Sequence, residues 1–337
     1  MERFRARRQK SGKTYYYYDT RGTPRREIPL GCDYVLAVRK WADLYGAEDK
    51  DIPVTDFAQL AEKYEREVLP TKADSTQRVQ KSDLKLLRLF FCSPTPAPLS
   101  LIKPPHIRKL LTWKASQPTT ANRLKRLFSH MFNMAREWGY TDAENPVRGV
   151  KGFSLPKRQV YVSDTVYTAV WRSASQPLKD AMDLAYLTGQ RPGDVLKFTE
   201  QQIVDGVFVI PAQSKTGKPL RIRVEGEFGA LIERIAARKE KSKIWCSSLA
   251  TNLHGNALTK QVMRKHFEAA RDAAALAHPQ LAAEISAMWF YDLRAKAADD
   301  VSDDRGDQAA ADLLGHDNVA TTQRHYLRRG KKVGPTK

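Results

Sequence analysis

The sequence predicts a multidomain, mainly α protein: a small β-rich unit at the N-terminus, a helical domain, then a mixed α+β domain. Three observations carry this. At 337 residues the chain exceeds one ordinary domain. β-type alternation marks the first 30 residues and a short stretch after residue 200, while helical periodicity fills most of the rest. The stretch "NPVRGVKGFSLPKRQ" (145–159), rich in Pro, Gly and charge, makes the best domain boundary in the chain.

The elements follow in order. "KTYYYYD" has strong β character, "TRGTP" is a turn and "RREIPLG" a second strand, closed by a helical "DYVLAVRKWADLYG" with Gly46 as C-cap. Residues 1–50 are therefore expected to fold as a unit of their own, and "EDKDIPVTD" to link it onward. Two readings of Tyr15 to Tyr18 stand. Alternation puts two rings into a small core and two outside; the flanking arginines suit a β-face pressed onto DNA. From Val54 to about Pro146 every stretch reads as helix, beginning with Thr55 as N-cap of "TDFAQLAEKYEREVL". The longest, "TTANRLKRLFSHMFNMAREWGY", sets Leu124, Leu127, Met131, Phe132 and Met134 against a basic face of Arg123, Lys125, Arg126 and His130. His130 alone reads as a surface or packing residue. Residues 156–337 alternate helices with one hairpin, "GVFVIPAQSKTGKPLRIRVEG", whose turn bears lysine and glycine. Helices then follow in "FGALIERIAARKEKS", "TKQVMRKHFEAARDAAALA", "EISAMWFYDLRAKAADDV" and "DQAAADLLG".

Charge narrows the function. Lys+Arg 57 against Asp+Glu 38 gives +19, and nine Lys/Arg face three Asp/Glu in the first 30 residues. Such an excess points to a polyanion, usually nucleic acid, because neutralising phosphates drives sequence-independent affinity. A membrane surface fits less well: no segment approaches the roughly 18 apolar residues of a spanning helix, and no lipidation signal is present. The opening "MERFRARRQKSGK" lacks the apolar core of a secretory signal. Cys32, Cys92 and Cys246 are odd in number and widely spaced, which fits a reducing cytoplasm and neither a disulfide framework nor a zinc site. With no P-loop, no GxGxxG and no metal motif, no cofactor or metal is expected.

One constellation carries chemistry. Arg191 sits in "LTGQRPGDVLK", just after a helix-ending glycine; Lys215 in the hairpin turn "SKTGK"; Arg294 in "YDLRAK"; His316 and Tyr326 in "LLGHDNVATTQRHYLRRG". Cleaving a phosphodiester without a metal needs a nucleophile, donors for the non-bridging oxygens and an acid for the leaving 5′ oxygen. Arginine's planar fork bonds phosphate bidentately and stays charged. Lysine on a turn can protonate a leaving group, and tyrosine can attack and be expelled again. The bland alternatives are a helix-end salt bridge for Arg191, a capped turn for His316 and a packed ring for Tyr326.

The last 180 or so residues resemble the catalytic domain of the tyrosine recombinases, the phage-integrase family, and most of all its lambda-type members. The family's first arginine box, with an acid three residues later, is similar to Arg191 with Asp194. Its hairpin lysine matches Lys215 best, with Lys218 second; its HxxR box falls on Tyr291 to Arg294, its LGH on Leu314 to His316 and its nucleophile on Tyr326. Two departures stand out. Tyr291 replaces the usual histidine, and a phenol of reference pKa about 10 can donate a hydrogen bond, to phosphate or to a group beside it, but is a poor base at neutral pH. His316 and Tyr326 are ten apart where nine is common, and one extra helical residue turns a side chain by about 100°, which the preceding loop is expected to absorb.

The resemblance implies a site-specific DNA recombinase working through a 3′-phosphotyrosine, with double-stranded DNA attachment sites as substrate and a homotetramer in the synaptic complex. DNA-bending and excision proteins are its implied accessory partners, and the cytoplasm of a bacterial host, on the nucleoid when bound, its implied location. It also matches residues 54–150 to the family's core-binding domain and, more loosely, residues 1–50 to an arm-binding domain. Two rivals stay open: a type IB topoisomerase-like enzyme, and a non-catalytic DNA-binding protein of integrase descent.

Overall fold

In the computed structural model, residues 3–20, 26–47, 56–242, 244–330 and 335–336 are described. The chain divides into two compact units, Met1–Leu155 and Pro156–Lys337.

The first unit opens with an antiparallel sheet in the order β1 (Phe4–Arg8), β2 (Thr14–Asp19), β3 (Glu27–Gly31), followed by α1 (Tyr34–Ala47). Alternation along β2 is real. Tyr18 is buried with Leu30 and Ala37, and Phe4, Tyr16 and Trp41 pack around them. Tyr15 and Tyr17 stand opposite Arg7 and Arg5 in the register, with the Arg7 guanidinium 5.5 Å from the Tyr17 ring centre. Helix α1 runs on through Gly46 to Ala47, so Gly46 does not cap it. Most of the expected linker, with Thr55, lies outside the described residues; the N-cap of the next helix is Asp56, whose carboxylate accepts from Gln59 N at 3.0 Å.

The helices α2 (Phe57–Lys63), α3 (Asp74–Phe91), α4 (Pro104–Trp113) and α5 (Pro118–Glu137) then pack around a second core. The rings of Phe57, Phe91 and Phe128 meet there with centroids 4.9–5.7 Å apart. The basic face expected on α5 is partly spent inside the fold. Arg123 grips the buried Asp83 of α3 through Nε at 2.6 Å and Nη2 at 2.8 Å, and Lys125 donates to the Val150 carbonyl. An isolated buried carboxylate is costly, so Asp83 requires that partner. Arg126 remains exposed, while His130 packs edge-on against the Tyr64 ring.

The second unit comprises α6 (Asp164–Ser173), α7 (Gln176–Thr188), the one-turn α8 (Pro192–Val195), a sheet β4 (Ile203–Val204), β5 (Val207–Ile210), β6 (Leu220–Arg223), then α9 (Gly226–Glu240), α10 (Lys260–Ala277), α11 (Ala282–Ala287), α12 (Asp292–Leu314) and α13 (Val319–His325). The hairpin alternates as expected, Phe208 and Ile210 going into the core, and the short β4 joins it as a third strand. The stretch "EISAMWFYDLRAKAADDV" is not one helix. Met288 turns to extended backbone (φ −69°, ψ 134°) and ends α11. The chain restarts at Asp292, whose carboxylate accepts the Trp289 N–H at 2.8 Å. That carboxylate is fully buried because Arg158 and Arg328 both donate to it, from the segment before α6 and the segment after α13. Helix α12 is buried on all sides from Asp292 to Asp299 and bends at Gly306 (φ 88°, ψ 165°).

Candidate active site

Helix α12 is the post on which the site hangs. Arg294, on its first turn, is 1% exposed. Its Nη1 donates to the Gly189 carbonyl at 2.6 Å and its Nη2 to the Leu314 carbonyl at 2.8 Å, the C-terminal ends of α7 and α12. Both are places where helix carbonyls lack partners and where a cation is favoured. The two helices end in the same way, on Gly189 (φ 63°) and Gly315 (φ 67°) in left-handed geometry. Only glycine fits at 315, because an added Cβ would come within 2.7 Å of the Gln213 amide.

Gln190 and Gln213 complete this joint. Both are buried, Gln213 Nε2 donates to Gln190 Oε1 at 2.6 Å, and their amides also bond the Leu313 and Leu314 carbonyls. The hairpin turn is thereby tied to the loop bearing Arg191 and to the end of α12. Asp194 adds a strut, accepting from Ser214 N at 3.0 Å. Its other oxygen lies 4.0 Å from Arg191, and that oxygen and Arg191 Nη1 are both buried without a hydrogen-bond partner. An unpartnered, buried guanidinium nitrogen is unfavourable in the free protein and ready for an anion.

His316 follows Gly315. Its Nε2 lies 3.2 Å from Arg294 Nη2 and its Nδ1 2.8 Å from Thr322 Oγ1. A guanidinium only donates, so Nε2 accepts and Nδ1 carries the proton. Burial, then the charges of Arg294 and Arg191, lower the imidazole pKa to about 4. The ring is therefore neutral at pH 7. Donating to an anion requires it to gain a proton, which the anion's own charge favours.

Tyr326 stands at the end of α13, its ring packed against Ala295, Ala298, Ala310 and Leu314. Its backbone departs from helical geometry (φ −123°, ψ −33°), so Tyr326 is the C-cap of α13 rather than part of its last turn. The ring centre lies 5.1 Å from that of His316 and 5.2 Å from the Arg294 guanidinium carbon. The hydroxyl is 2.9 Å from the hydroxyl of Tyr291, which precedes α12. The ring of Tyr326 is thus packed, while its hydroxyl end meets Tyr291. Of the three consecutive aromatics, Phe290 goes into the core and Trp289 and Tyr291 face outward.

The phenols differ. Burial, then the Tyr326 oxygen, push Tyr291 up to about 12. Burial also raises Tyr326, but the hydrogen bond with Tyr291 and the charges of Arg294 and Arg191 outweigh it and hold Tyr326 below its ordinary value.

Arg191, Lys215, Tyr291, His316 and Tyr326 line one cleft of about 960 Å³. Arg294 lies beneath it. Lys215 is exposed on the hairpin turn, whereas Lys218 is paired with Asp317. The cleft has cations and hydroxyls on its walls and a buried phenol in its floor, an arrangement suited to a phosphate.

The phage integrase family model matches residues 162–332. The chain belongs to the phage integrase family. Among curated members, it is 30% identical over 196 residues to the integrase of Escherichia phage HK022, covering 56% of this chain and 53% of that one. It is 26% identical over 243 residues to the integrase of Enterobacteria phage 434, covering 70% and 66%. The match thus spans between half and two thirds of those relatives' length. Among solved structures, a lambda integrase dimer bound to a COC′ core site superposes with a TM-score of 0.70 at 20% identity, covering 100% of this chain and 98% of that one. A lambda integrase tetramer bound to a Holliday junction gives 0.71 at 21%, covering 98% and 97%. The fold of this family member is therefore the lambda-integrase fold, mainly helical with two small sheets among the described residues.

Sequence reasoning missed Gln190, Gln213 and Thr322. Thr322 carried a signal: it lies four residues before Tyr326, on the helix that bears it.

Proposed function

We propose that this chain is a site-specific DNA recombinase that cuts and rejoins DNA through a 3′-phosphotyrosine at Tyr326. The observation that carries the reading is the Tyr326 ring, beside the Arg294 guanidinium and the His316 ring in a cleft that also holds Arg191 and Lys215. Tyr326 Oη attacks the phosphorus and the bond to the 5′ oxygen breaks. Lys215 on its exposed turn gives that oxygen a proton. Arg191, with a free buried nitrogen, and Arg294, through its unpartnered Nε, take up the charge that builds on the non-bridging oxygens. His316 orients Arg294 and joins them once protonated. A 5′ hydroxyl of a second duplex then attacks the phosphotyrosine and expels Tyr326, within a homotetramer. The net charge of +19 supports a DNA partner.

The test uses a library of nicked duplexes randomised over the core, with covalent complexes captured under denaturing conditions, and a synthetic four-way junction. Capture and junction resolution are expected. Capture with simple religation favours a topoisomerase, and no capture favours a DNA-binding protein without chemistry. Since cationic side chains supply the charge compensation, cleavage is expected to persist in EDTA without ATP. Loss in EDTA with rescue by Mg²⁺ contradicts this mechanism.

Residues 1–50, 54–150 and 156–337 serve in this reading as arm-binding, core-binding and catalytic domains. The separate core of the N-terminal sheet and its face of Arg5, Arg7, Tyr15 and Tyr17 support the first of these. A chain beginning at Asp51 is expected to keep cleavage of a core duplex but lose affinity for longer DNA. The log–log salt dependence of binding should become shallower by ~0.9 for each phosphate contact removed. Equal slopes for the two chains exclude a separate arm-binding role.

A further inference from the structure

We infer that Tyr291 acts on the nucleophile itself: its hydroxyl donates a hydrogen bond to the Tyr326 oxygen, holding and stabilising the phenolate that attacks and is later expelled. This rests on Tyr326 being the nucleophile. The two oxygens are 2.9 Å apart, and among the described residues Tyr326 is the hydrogen-bond partner of the Tyr291 hydroxyl. The break of the chain at Met288–Tyr291 makes the contact. It sends Phe290 into the core and leaves Tyr291 at the start of α12, over the cleft floor.

Direction follows from the surroundings. Tyr326 is faced by Tyr291 and Arg294 from α12, Arg191 from the start of α8, and His316 from the loop after α12. Lys215 of the hairpin, Lys157 and Arg158 before α6, Arg324 and His325 of its own helix, and Arg328 beyond it also line the cleft. Arg294, Arg191 and the neighbouring cations favour negative charge on Tyr326. Tyr291 is 38% exposed and keeps its proton to higher pH, so it is the donor. The protons balance. Tyr326 loses its proton to cleft water, its phenolate forms the bond to phosphorus, and the 5′ oxygen leaves with the proton of Lys215. Lys215 regains one from solvent. In the second step the phosphotyrosine bond breaks, and the same Tyr291 hydrogen bond receives the departing phenolate. Tyr291 is thus a positioning and activating residue for both steps rather than a ligand of the phosphate.

Two measurements test this, one without DNA. The ultraviolet titration difference between the intact protein and Tyr326→Phe carries the Tyr326 phenol together with the fall of Tyr291 on losing its partner; the same difference in the Tyr291→Phe background carries Tyr326 alone, and its onset should lie about one pH unit higher. Single-turnover capture on a nicked duplex recovered from the library should then be about 10-fold slower for Tyr291→Phe near pH 7, one pKa unit being tenfold in phenolate. The deficit should close as pH rises past the shifted pKa. An unmoved titration, or a loss of rate equal at every pH, overturns the inference and leaves Tyr291 as packing. If the intact protein captures no DNA, the recombinase reading fails, while the DNA-free titration still decides whether Tyr291 holds Tyr326.

Discussion

Tyr326→Phe binds DNA with its affinity unchanged and captures none of it covalently. The variant loses one oxygen and keeps its ring, which is the part packed on Ala295, Ala298, Ala310 and Leu314. The hydrogen bond to Tyr291 goes too, but Tyr291 is partly exposed and water can replace it, so stability should fall by no more than about 1 kcal/mol. The cations proposed to hold the phosphate, Arg191 and Lys215, keep their places, because the loops that carry them are tied through Asp194, Gln190 and Gln213 and not through Tyr326. Binding and chemistry therefore separate in one substitution. A mobility shift reads the first, and a denaturing gel for the protein–DNA adduct reads the second. Residual adduct in the Phe variant would make Tyr291, 2.9 Å away, the attacking group instead.

The residues that carry the site were legible because each brings an unusual chemistry to a recognisable local setting: an arginine after a helix-ending glycine, a lysine on a hairpin turn, a tyrosine among arginines. What holds them was not. Gln190 and Gln213 are ordinary residues in sequence, 23 positions apart, and acquire meaning only where α7, the hairpin and α12 converge. The break before α12 was hidden for a different reason. "EISAMWFYDLRAKAADDV" has helical periodicity throughout, and its interruption depends on Asp292 turning back to the Trp289 N–H under the grip of Arg158 and Arg328, each from a distant part of the chain. The basic face of α5 misled in part because periodicity cannot tell a solvent-facing arginine from one reaching a buried carboxylate such as Asp83. Tyr291 stood out as a departure from the family, but sequence could not show that its hydroxyl meets Tyr326 rather than open cleft.

The largest combined effect on stability and activity is expected at Arg294. The guanidinium joins the ends of α7 and α12 through the Gly189 and Leu314 carbonyls and also meets His316 Nε2, three acceptors satisfied by one planar fork. Arg294→Lys keeps the charge but is a single ammonium on a flexible stem, unable to span both helix ends in the same geometry. Because the Leu314 carbonyl also accepts from Gln213, the uncompensated loss falls on the Gly189 carbonyl or on His316 Nε2, at about 1–3 kcal/mol. For a unit of this size that lowers the thermal midpoint by several degrees, about 2–4 °C per kcal/mol. Activity should fall further than stability. The buried, unpartnered Nε is lost, and in the proposed reaction it is a preorganised donor worth on the order of 10²–10³ in rate. His316 loses the partner that fixes its Nε2, and the Tyr326 phenol loses the guanidinium hydrogen bond that helps hold its pKa down. Single-turnover capture should therefore drop by at least about 10²-fold at a temperature where the variant is still folded by circular dichroism. A variant that cleaves at the wild-type rate while melting early would reduce Arg294 to a structural tie and shift the burden of phosphate stabilisation to Arg191 and Lys215 alone.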